Sequence, residues 1–417
     1  MIKKVTLKSG VRLVLEYLPY VQSVVTGIWV KAGAANEDER YSGISHYVEH
    51  MMFKGTETRN AKEIAEAIDR TGGQINAFTG KEATCYYVRS ISSCFEENAD
   101  VLCDMLTSSI FDKKEMDRER KVILEEIKMT KDTPDDLAHD TITEMVFANS
   151  DLGKSITGEK ENLDRIDSQV MKKYIGDYYA RNGIVVSVAG NFDEEKVIEY
   201  FENRFSGFRE EAQDYSRRGG EYRPSYRNIV KDIEQSHICL AVPGIHIEDP
   251  RYFSLSILNN VLGGSMSSRL FQNIREEKGL AYSVYTMAPS YGRGGYFNIY
   301  AGISADRAEE AIGGIKEEIE KLRINGITKD ELESSRAQLK ASYIFGQENV
   351  AGRMFKNGKN MVISNRIHEP SEIIEAYDSV TMDDIDRVKS IICDYDSYSA
   401  CAVSDREIDI ERIVKEV

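Results

Sequence analysis

The sequence is poor in the residues that mark disulfide-rich or membrane-spanning proteins. Its 417 residues include only six cysteines, which are scattered and form no Cys-x-x-Cys pair. A chain of this length can bury a large core without disulfides, so we expect free, mostly buried thiols in a reducing compartment. No apolar run approaches the roughly eighteen residues of a membrane helix, and the N-terminus alternates like a strand and lacks the apolar stretch of a signal peptide. We therefore expect a cytoplasmic protein.

Positive charge is also in short supply. The chain has 54 Lys and Arg residues against 70 Asp and Glu residues, a net charge of −16. This balance argues against nucleic acid or an anionic membrane as a partner and fits a soluble enzyme. The hydrophobic fraction of 41% is enough for sizeable interiors. The length predicts two domains, because a single core stops growing well below this size.

Histidine is scarce too, with six in the chain, yet two of them lie four residues apart in His46-Tyr47-Val48-Glu49-His50. Neighbouring apolar residues recur at helical spacing, which predicts a helix. Positions i and i+4 share one face of a helix, so His46 and His50 can bind one metal ion, with Glu49 beside it. Two imidazoles and a carboxylate suit zinc, and the order His-x-x-Glu-His is the inverted zinc-peptidase motif. Two alternatives are histidines that serve only packing, and a chance match.

A catalytic zinc site needs a third protein ligand and an open position for water. The predicted helix 116–129 offers Glu119, Glu125 and Glu126. Residues seven apart lie on one face, so Glu119 and Glu126 share a stripe while Glu125 is turned about 100° away. The spacing leaves the choice between Glu119 and Glu126 open.

The chain also contains an internal repeat. Val30-Lys31-Ala32-Gly33 has a counterpart in Val242-Pro243-Gly244, and this register places Ile257, Asn260 and Val261 opposite His46, Glu49 and His50. Repeated patterns of this length predict duplicated structural units. We therefore predict an α+β fold of two homologous domains, each a mostly antiparallel sheet packed by helices. Residues 1–208 form the zinc-binding domain, 209–226 a linker, and 227–417 a metal-free domain.

Residues His46, Glu49 and His50, followed by Glu119 and Glu126, resemble the pitrilysin and mitochondrial processing peptidase family of zinc metallopeptidases. The resemblance implies that Glu126 is the third zinc ligand, that Glu119 is a supporting residue at the catalytic site, and that each chain binds one zinc ion. It also implies that Glu49 is the general base in peptide-bond hydrolysis by a zinc-activated water, without a covalent intermediate.

Two further segments extend the resemblance. Asn76-Ala77-Phe78-Thr79 is similar to the family's edge strand, to which a substrate peptide adds as an extra strand, and the resemblance implies that Asn76, Ala77 and Phe78 bind the substrate. Without the family, this segment is an ordinary strand with a polar end. In the second half, Arg275 and Tyr282 match a family pair that helps to hold the substrate and the tetrahedral intermediate.

The resemblance implies a zinc endopeptidase that cuts short or unfolded peptides. Larger family members carry four such domains, which enclose a chamber, whereas this chain has two. The implied assembly is a homodimer, in which Arg275 and Tyr282 serve the metal site of the partner subunit. Two alternatives are a catalytically silent scaffold protein of the same fold and a protein whose zinc only stabilises the structure. The second would need a closed four-ligand site, and no fourth Cys or His stands at a suitable spacing.

Overall fold

The computed structural model of the chain describes residues 2–207 and 220–416. Most of the predicted linker, residues 209–219, lies outside these ranges. The strands, in chain order, are β1 (Ile2–Thr6), β2 (Arg12–Tyr17), β3 (Ser23–Val30), β4 (Gln74–Thr79), β5 (Thr84–Ile91), β6 (Ile184–Gly190), β7 (Tyr226–Val230), β8 (Ser236–Pro243), β9 (Ala281–Met287), β10 (Tyr296–Ile303) and β11 (Ser399–Ser404).

The helices surround these strands, and two short π-helical segments, Asn260–Gly264 and Phe271–Glu277, lie in the second half. The α-helices are α1 (Ile44–Met52), α2 (Ala61–Arg70), α3 (Phe95–Ser108), α4 (Lys113–Asp132), α5 (Pro134–Val146), α6 (Lys160–Leu163), α7 (Ser168–Tyr178), α8 (Glu194–Arg204), α9 (Tyr252–Asn259), α10 (Ala308–Asn325), α11 (Lys329–Glu348), α12 (Val350–Ile363), α13 (Pro370–Ser379), α14 (Met382–Ile392) and α15 (Ile410–Glu416). Every helix in the described ranges is too short or too polar to cross a membrane.

The two sheets have the same topology. The first has the strand order β1-β2-β6-β3-β5-β4, and the second has the order β7-β11-β8-β10-β9. The β2–β6 pair is parallel, as is the β7–β11 pair, and all other pairs in both sheets are antiparallel. Apart from β1, each strand of the first sheet therefore has an equivalent in the second, in the same sequence order. The predicted fold of two homologous, mostly antiparallel α+β halves is confirmed.

Strand β3 occupies the centre of the first sheet, where it pairs with both β5 and β6. Its residues are almost continuously apolar and buried, as expected for a strand that is covered on both faces. One face packs on the cluster that includes Ile44, Val48 and Met51 of α1. The opposite face packs through Trp29 on Met361 and Val362 of α12.

The chain divides into two compact units that are not continuous in sequence. Within the described residues, unit 1 comprises 2–127, 154–207 and 344–369, and unit 2 comprises 128–153, 220–343 and 370–416. Helix α12, from the second half, covers β2, β3 and β6, while helix α5, from the first half, covers β8 and β11. The two halves therefore exchange one helix each. The predicted boundaries at 208 and 227 did not anticipate this exchange.

Candidate metal centre

The motif helix α1 starts at a position that only glycine accommodates easily. Gly43 precedes it with φ of +90°, and a side chain there would also contact the carbonyl oxygen of Thr157. The backbone N–H groups of Gly43 and Ser45 donate to the carboxylate of Glu37, at 2.7 and 2.8 Å. A buried carboxylate at this end of a helix satisfies orphan donors and complements the helix dipole. Glu37 therefore fixes where α1 begins.

Three side chains of unit 1 converge on one point. His46 and His50 lie on one face of α1, and Glu126 reaches them from α4. The Nε2 atoms of the two histidines are 3.3 Å apart. The carboxylate oxygens of Glu126 lie 3.5 Å from Nε2 of His46 and 3.6 Å from Nε2 of His50. Among the described residues, these three form the one group of His, Cys, Asp or Glu side chains close enough to share a metal ion.

These spacings fit zinc. Zinc binds imidazole nitrogen and carboxylate oxygen at about 2.0–2.2 Å in a tetrahedron, which places neighbouring ligand atoms roughly 3.3–3.6 Å apart. The two Nε2 atoms are 3.3 Å apart, and each lies 3.5 or 3.6 Å from its nearest Glu126 oxygen, Oε1 for His46 and Oε2 for His50, which matches this interval. Three protein ligands leave one tetrahedral position for water or substrate, as catalytic zinc sites require. His46, His50 and Glu126 would therefore hold the ion, which is the ligand set that the family resemblance implies.

Glu119 lies beside the triad and outside it. One carboxylate oxygen is 2.9 Å from Nδ1 of His50, and the other is 2.7 Å from the ammonium group of Lys54. Histidine ligands commonly donate their second ring N–H to a carboxylate in this way, which fixes the tautomer and the ring orientation. The geometry supports Glu126 as the ligand and Glu119 as the supporting residue, the choice that helix spacing left open.

Glu49 is next to the triad and is held by the neighbouring strand. The hydroxyl of Thr79, at the end of β4, donates a hydrogen bond of 2.5 Å to Oε2 of Glu49. Burial raises the pKa of Glu49, and the hydrogen bond from Thr79 and the two imidazoles oppose that rise. A carboxyl whose pKa is moved toward neutrality is suited to accept and return a proton near pH 7.

The metal-free ligands are themselves coupled. Burial lowers the pKa of His46, but the hydrogen bond and the charge of Glu126, together with the charges of Glu49 and Glu37, outweigh it, so the net shift is upward. The same contact with His46 lowers the pKa of Glu126, against a smaller effect of burial. Protonated His46 and ionised Glu126 therefore stabilise each other. A bound metal cation would displace the proton from His46 and take over its interaction with Glu126.

Strand β4, which carries Asn76, Ala77 and Phe78, is an edge strand of the first sheet. It pairs with β5 on one side, and no other described strand pairs with its outer side. Ala77 faces the α1 side of the sheet, while Phe78 is on the other face, against Trp29 and Phe355. Asn76 is exposed. An unpaired strand edge can accept a peptide as an added strand, and this one ends at Thr79, beside Glu49.

Arg275 and Tyr282 belong to unit 2. The guanidinium of Arg275 lies 4.7 Å from the ring centre of Phe271 and 5.8 Å from that of Tyr282. Tyr282 is 78% exposed at the start of β9, and the side chain of Arg275 is 40% exposed. The structure thus brings this predicted pair together on the surface of its own unit.

Three residues of the centre were not singled out from the sequence. Thr79 is the last residue of the segment predicted as the substrate strand, but it was given no role of its own. Lys54 lies four residues after His50, so helical spacing could have suggested it. Glu37 gave no such signal, because the sequence around it is that of a polar loop. The structure buries Glu37 almost completely.

These features define a class of protein: a duplicated α+β chain with an inverted zinc motif in its first half. Residues 12–160 match the model of insulinase, peptidase family M16, and residues 165–339 match that of the peptidase M16 inactive domain. A Bacillus subtilis protein named uncharacterized zinc protease YmxG is 41% identical over 383 residues, or 92% of this chain and 93% of the relative. A Streptomyces coelicolor protein, also named an uncharacterized zinc protease, is 36% identical over 392 residues, or 92% of this chain and 85% of the relative.

The chain belongs to peptidase family M16, the insulinase family, which confirms the resemblance to pitrilysin. Its fold is that of a solved peptidase M16 inactive domain from Pseudomonas fluorescens, with a TM-score of 0.90 at 18% identity over 98% of both chains. The names of the relatives support a zinc-dependent hydrolase.

Proposed function

We propose that the protein is a zinc-dependent endopeptidase that hydrolyses short or unfolded peptides and binds one zinc ion per chain. The observation that carries this proposal is the convergence of His46, His50 and Glu126, whose ligand atoms lie within 4.8 Å of one another, with Glu49 beside them. A zinc ion bound there supplies a Lewis acid, which acidifies water and polarises a peptide carbonyl. Glu49 takes the proton from the attacking water and delivers it to the leaving amine.

Strand β4 binds the peptide in this proposal. The backbone of Asn76, Ala77 and Phe78 hydrogen-bonds an extended substrate along the outer edge of the sheet. Thr79 continues the same strand and holds Glu49, so a peptide added along β4 runs toward the general base. Main-chain binding of this kind requires an extended segment, which folded proteins rarely offer, and therefore favours short or unfolded peptides.

We further propose that two chains form a homodimer in which each supplies Arg275 and Tyr282 to the metal site of its partner. Support comes from the presence of both motifs in one chain and from the exposure of this pair on unit 2. A guanidinium and a phenol can stabilise the oxyanion that develops during acyl transfer. The acidic balance of the chain supports an enzyme that acts on peptides and not on nucleic acid or membranes. The six free cysteines support a reducing, cytoplasmic location.

The test is incubation of the purified protein with a mixed peptide library, with and without a chelator, followed by mass spectrometry. We expect internal cleavages that the chelator abolishes and added zinc restores. The Glu49→Gln variant should retain zinc and fold but lose cleavage. Chelator-resistant cleavage, or wild-type turnover by Glu49→Gln, would refute the mechanism. Stoichiometric zinc without any cleavage would favour the silent scaffold protein.

The dimer has its own test. Light scattering of the active preparation should give twice the 47.2 kDa of one chain. Mixing an Arg275→Ala chain, which is inactive alone, with a Glu49→Gln chain should restore part of the activity, because one of the two sites in the mixed dimer is intact. Failure of complementation by stably mixed dimers would contradict the exchange of Arg275 between subunits.

A further inference from the structure

Lys54 is connected to the metal centre through Glu119. It lies two residues beyond the end of α1, and its side chain is 29% exposed. The ammonium nitrogen is 2.7 Å from Oε2 of Glu119, a carboxylate that is itself buried. The other oxygen of Glu119 is 2.9 Å from Nδ1 of His50. Both carboxylate oxygens are thus occupied, one by the cation and one by the histidine.

The two histidines of the triad are held differently. Nδ1 of His46 is buried and has no hydrogen-bond partner among the described residues, so this ring has no carboxylate behind it of the kind that Glu119 provides for His50. The side chain of His50 is more exposed, at 20% against 8% for His46. With less packing around it, His50 depends more on its hydrogen bond to Glu119. That bond requires a proton on Nδ1, which leaves Nε2 with the lone pair that points toward His46 and Glu126.

The ammonium group of Lys54 also compensates negative charge at the centre. Glu49, Glu119 and Glu126 bring three carboxylates together. A divalent ion offsets two negative charges, and the ammonium of Lys54 offsets the third. Lys54 contacts Glu119, the one of these three carboxylates that binds neither the metal nor the reacting water in the proposed mechanism, and so neutralises that charge.

We propose that Lys54 is a positioning residue of the metal centre. It clamps the carboxylate of Glu119, and Glu119 in turn holds His50 in the tautomer and orientation that present Nε2 to the metal. This inference rests on the proposed function for its metal, but the arrangement of Lys54, Glu119 and His50 exists in the metal-free protein.

The first measurement is zinc affinity, by competition with a chromophoric chelator. Lys54→Met keeps the length of the side chain and removes its charge. We expect zinc to bind about 10-fold more weakly, the lower end of the loss that is typical when the partner of a ligand, here Glu119, is itself removed. Lys54→Arg retains a cation that can reach the carboxylate and should bind within a few-fold of wild type. The matched control is Lys173→Met, which removes an exposed ion pair with Asp177 of the same 2.7 Å length.

The second measurement does not need zinc. Ring nitrogen NMR of ¹⁵N-histidine-labelled, metal-free protein at pH 8 reports the tautomer of His50, assigned with His50→Gln. Wild type and Lys54→Arg should carry the proton on Nδ1, whereas Lys54→Met and Glu119→Gln should shift the population toward Nε2. The same tautomer population can be followed in a double-mutant cycle. Adding Lys54→Met to Glu119→Gln should change this population little further, because Lys54 acts through Glu119.

An unchanged His50 tautomer in Lys54→Met would overturn the inference, as would additive effects in the cycle. Because the tautomer is measured without metal, this outcome does not depend on whether the wild-type protein binds zinc or cleaves peptides. An endopeptidase with normal zinc affinity in Lys54→Met would leave the proposed function intact and refute the role of Lys54.

Discussion

The hydroxyl of Thr79 donates a hydrogen bond to Oε2 of Glu49 across 2.5 Å, and this contact joins the edge strand β4 to the motif helix α1. The carboxylate at the metal centre is thus oriented by the strand that we propose binds the substrate. A peptide that displaces β4 by a fraction of an ångström would move the hydrogen bond that aims the base. Substrate binding and proton transfer are therefore expected to depend on the same residue.

Replacing Thr79 with valine should lower turnover more than it weakens substrate binding. Valine has the same shape but cannot donate, so Glu49 loses its orienting hydrogen bond while the backbone of β4 is unchanged. We expect kcat to fall about 10-fold with little change in KM, less than the effect expected when the base itself is removed. Thr79→Ser, which keeps the donor, should remain close to wild type. A rise in KM at constant kcat would instead assign Thr79 to substrate binding.

The choice of Glu126 over its neighbours can be tested with a pair of adjacent substitutions. Glu126 points at both histidines, whereas Glu125, at the preceding position of α4, is exposed. Loss of a residue behind a ligand typically costs 10- to 100-fold in metal affinity, so loss of a ligand should cost about 100-fold or more. We expect Glu126→Ala to lose most of its zinc after dialysis and Glu125→Ala to retain it, measured by elemental analysis. Equal zinc content in the two variants would exclude Glu126 as a ligand.

Much of this fold could be predicted because its signals are local. The apolar run of β3, the alternation of β4 and the helical spacing around His46 each lie within a few residues, and the repeat between the halves predicted the second sheet. The helix exchange could not be predicted in this way. The apolar faces of α5 and α12 predict that each helix packs against a sheet. The periodicity does not reveal which sheet, because it is the same in either case.

The site residues, too, could be predicted from the sequence only where the signal is local. The spacing of His46 and His50 reports their shared face directly, because one helix carries both. Glu37 is different, since its role depends on burial that follows from the packing of segments far apart in sequence. A carboxylate in a polar stretch is usually solvated. Here it instead accepts two backbone N–H groups at the start of α1.

The burial of Glu37 predicts a dependence of stability on pH. Desolvation raises its pKa from 4.5 to about 7, although hydrogen bonds to Ser45 and Gly43 and the charge of Lys154 oppose the rise. Between these values the folded protein retains a proton that the unfolded chain releases. The contribution of Glu37 is therefore fully present below pH 4.5 and is lost as pH rises to about 7.

Glu37→Gln should remove this dependence. The wild-type free energy of unfolding, relative to that of the variant, should fall by roughly 2–4 kcal/mol from pH 4.5 to pH 7. Urea titrations followed by fluorescence are suitable, because Trp29 is the one tryptophan of the chain and lies in unit 1 with Glu37. The control is Glu199→Gln, at an exposed carboxylate on α8. Parallel pH profiles of wild type and Glu37→Gln would contradict the prediction.

The exchanged helix α12 can be tested at a glycine that allows its close approach to β3. A Cβ at Gly358 would lie 2.7 Å from Cε2 of Trp29 and closer still to Nε1, well inside van der Waals contact. The indole is rigid and buried, so it cannot move aside as the end of a flexible side chain could. Alanine would gain helix propensity at this position, worth up to about 1 kcal/mol, but overpacking typically costs about 1–3 kcal/mol.

We therefore expect Gly358→Ala to lower the free energy of unfolding by about 1–2 kcal/mol at an unchanged urea m-value. Gly346→Ala is the matched control. This glycine is exposed on α11, within residues 344–369, the segment of the second half that belongs to unit 1. Its added methyl group would meet nothing within 4 Å. The control should therefore gain stability from helix propensity alone, by up to about 1 kcal/mol. Opposite signs for the two substitutions would show that α12 is a tightly packed part of the first sheet's core, whereas equal gains would mean that α12 does not pack on Trp29 in solution.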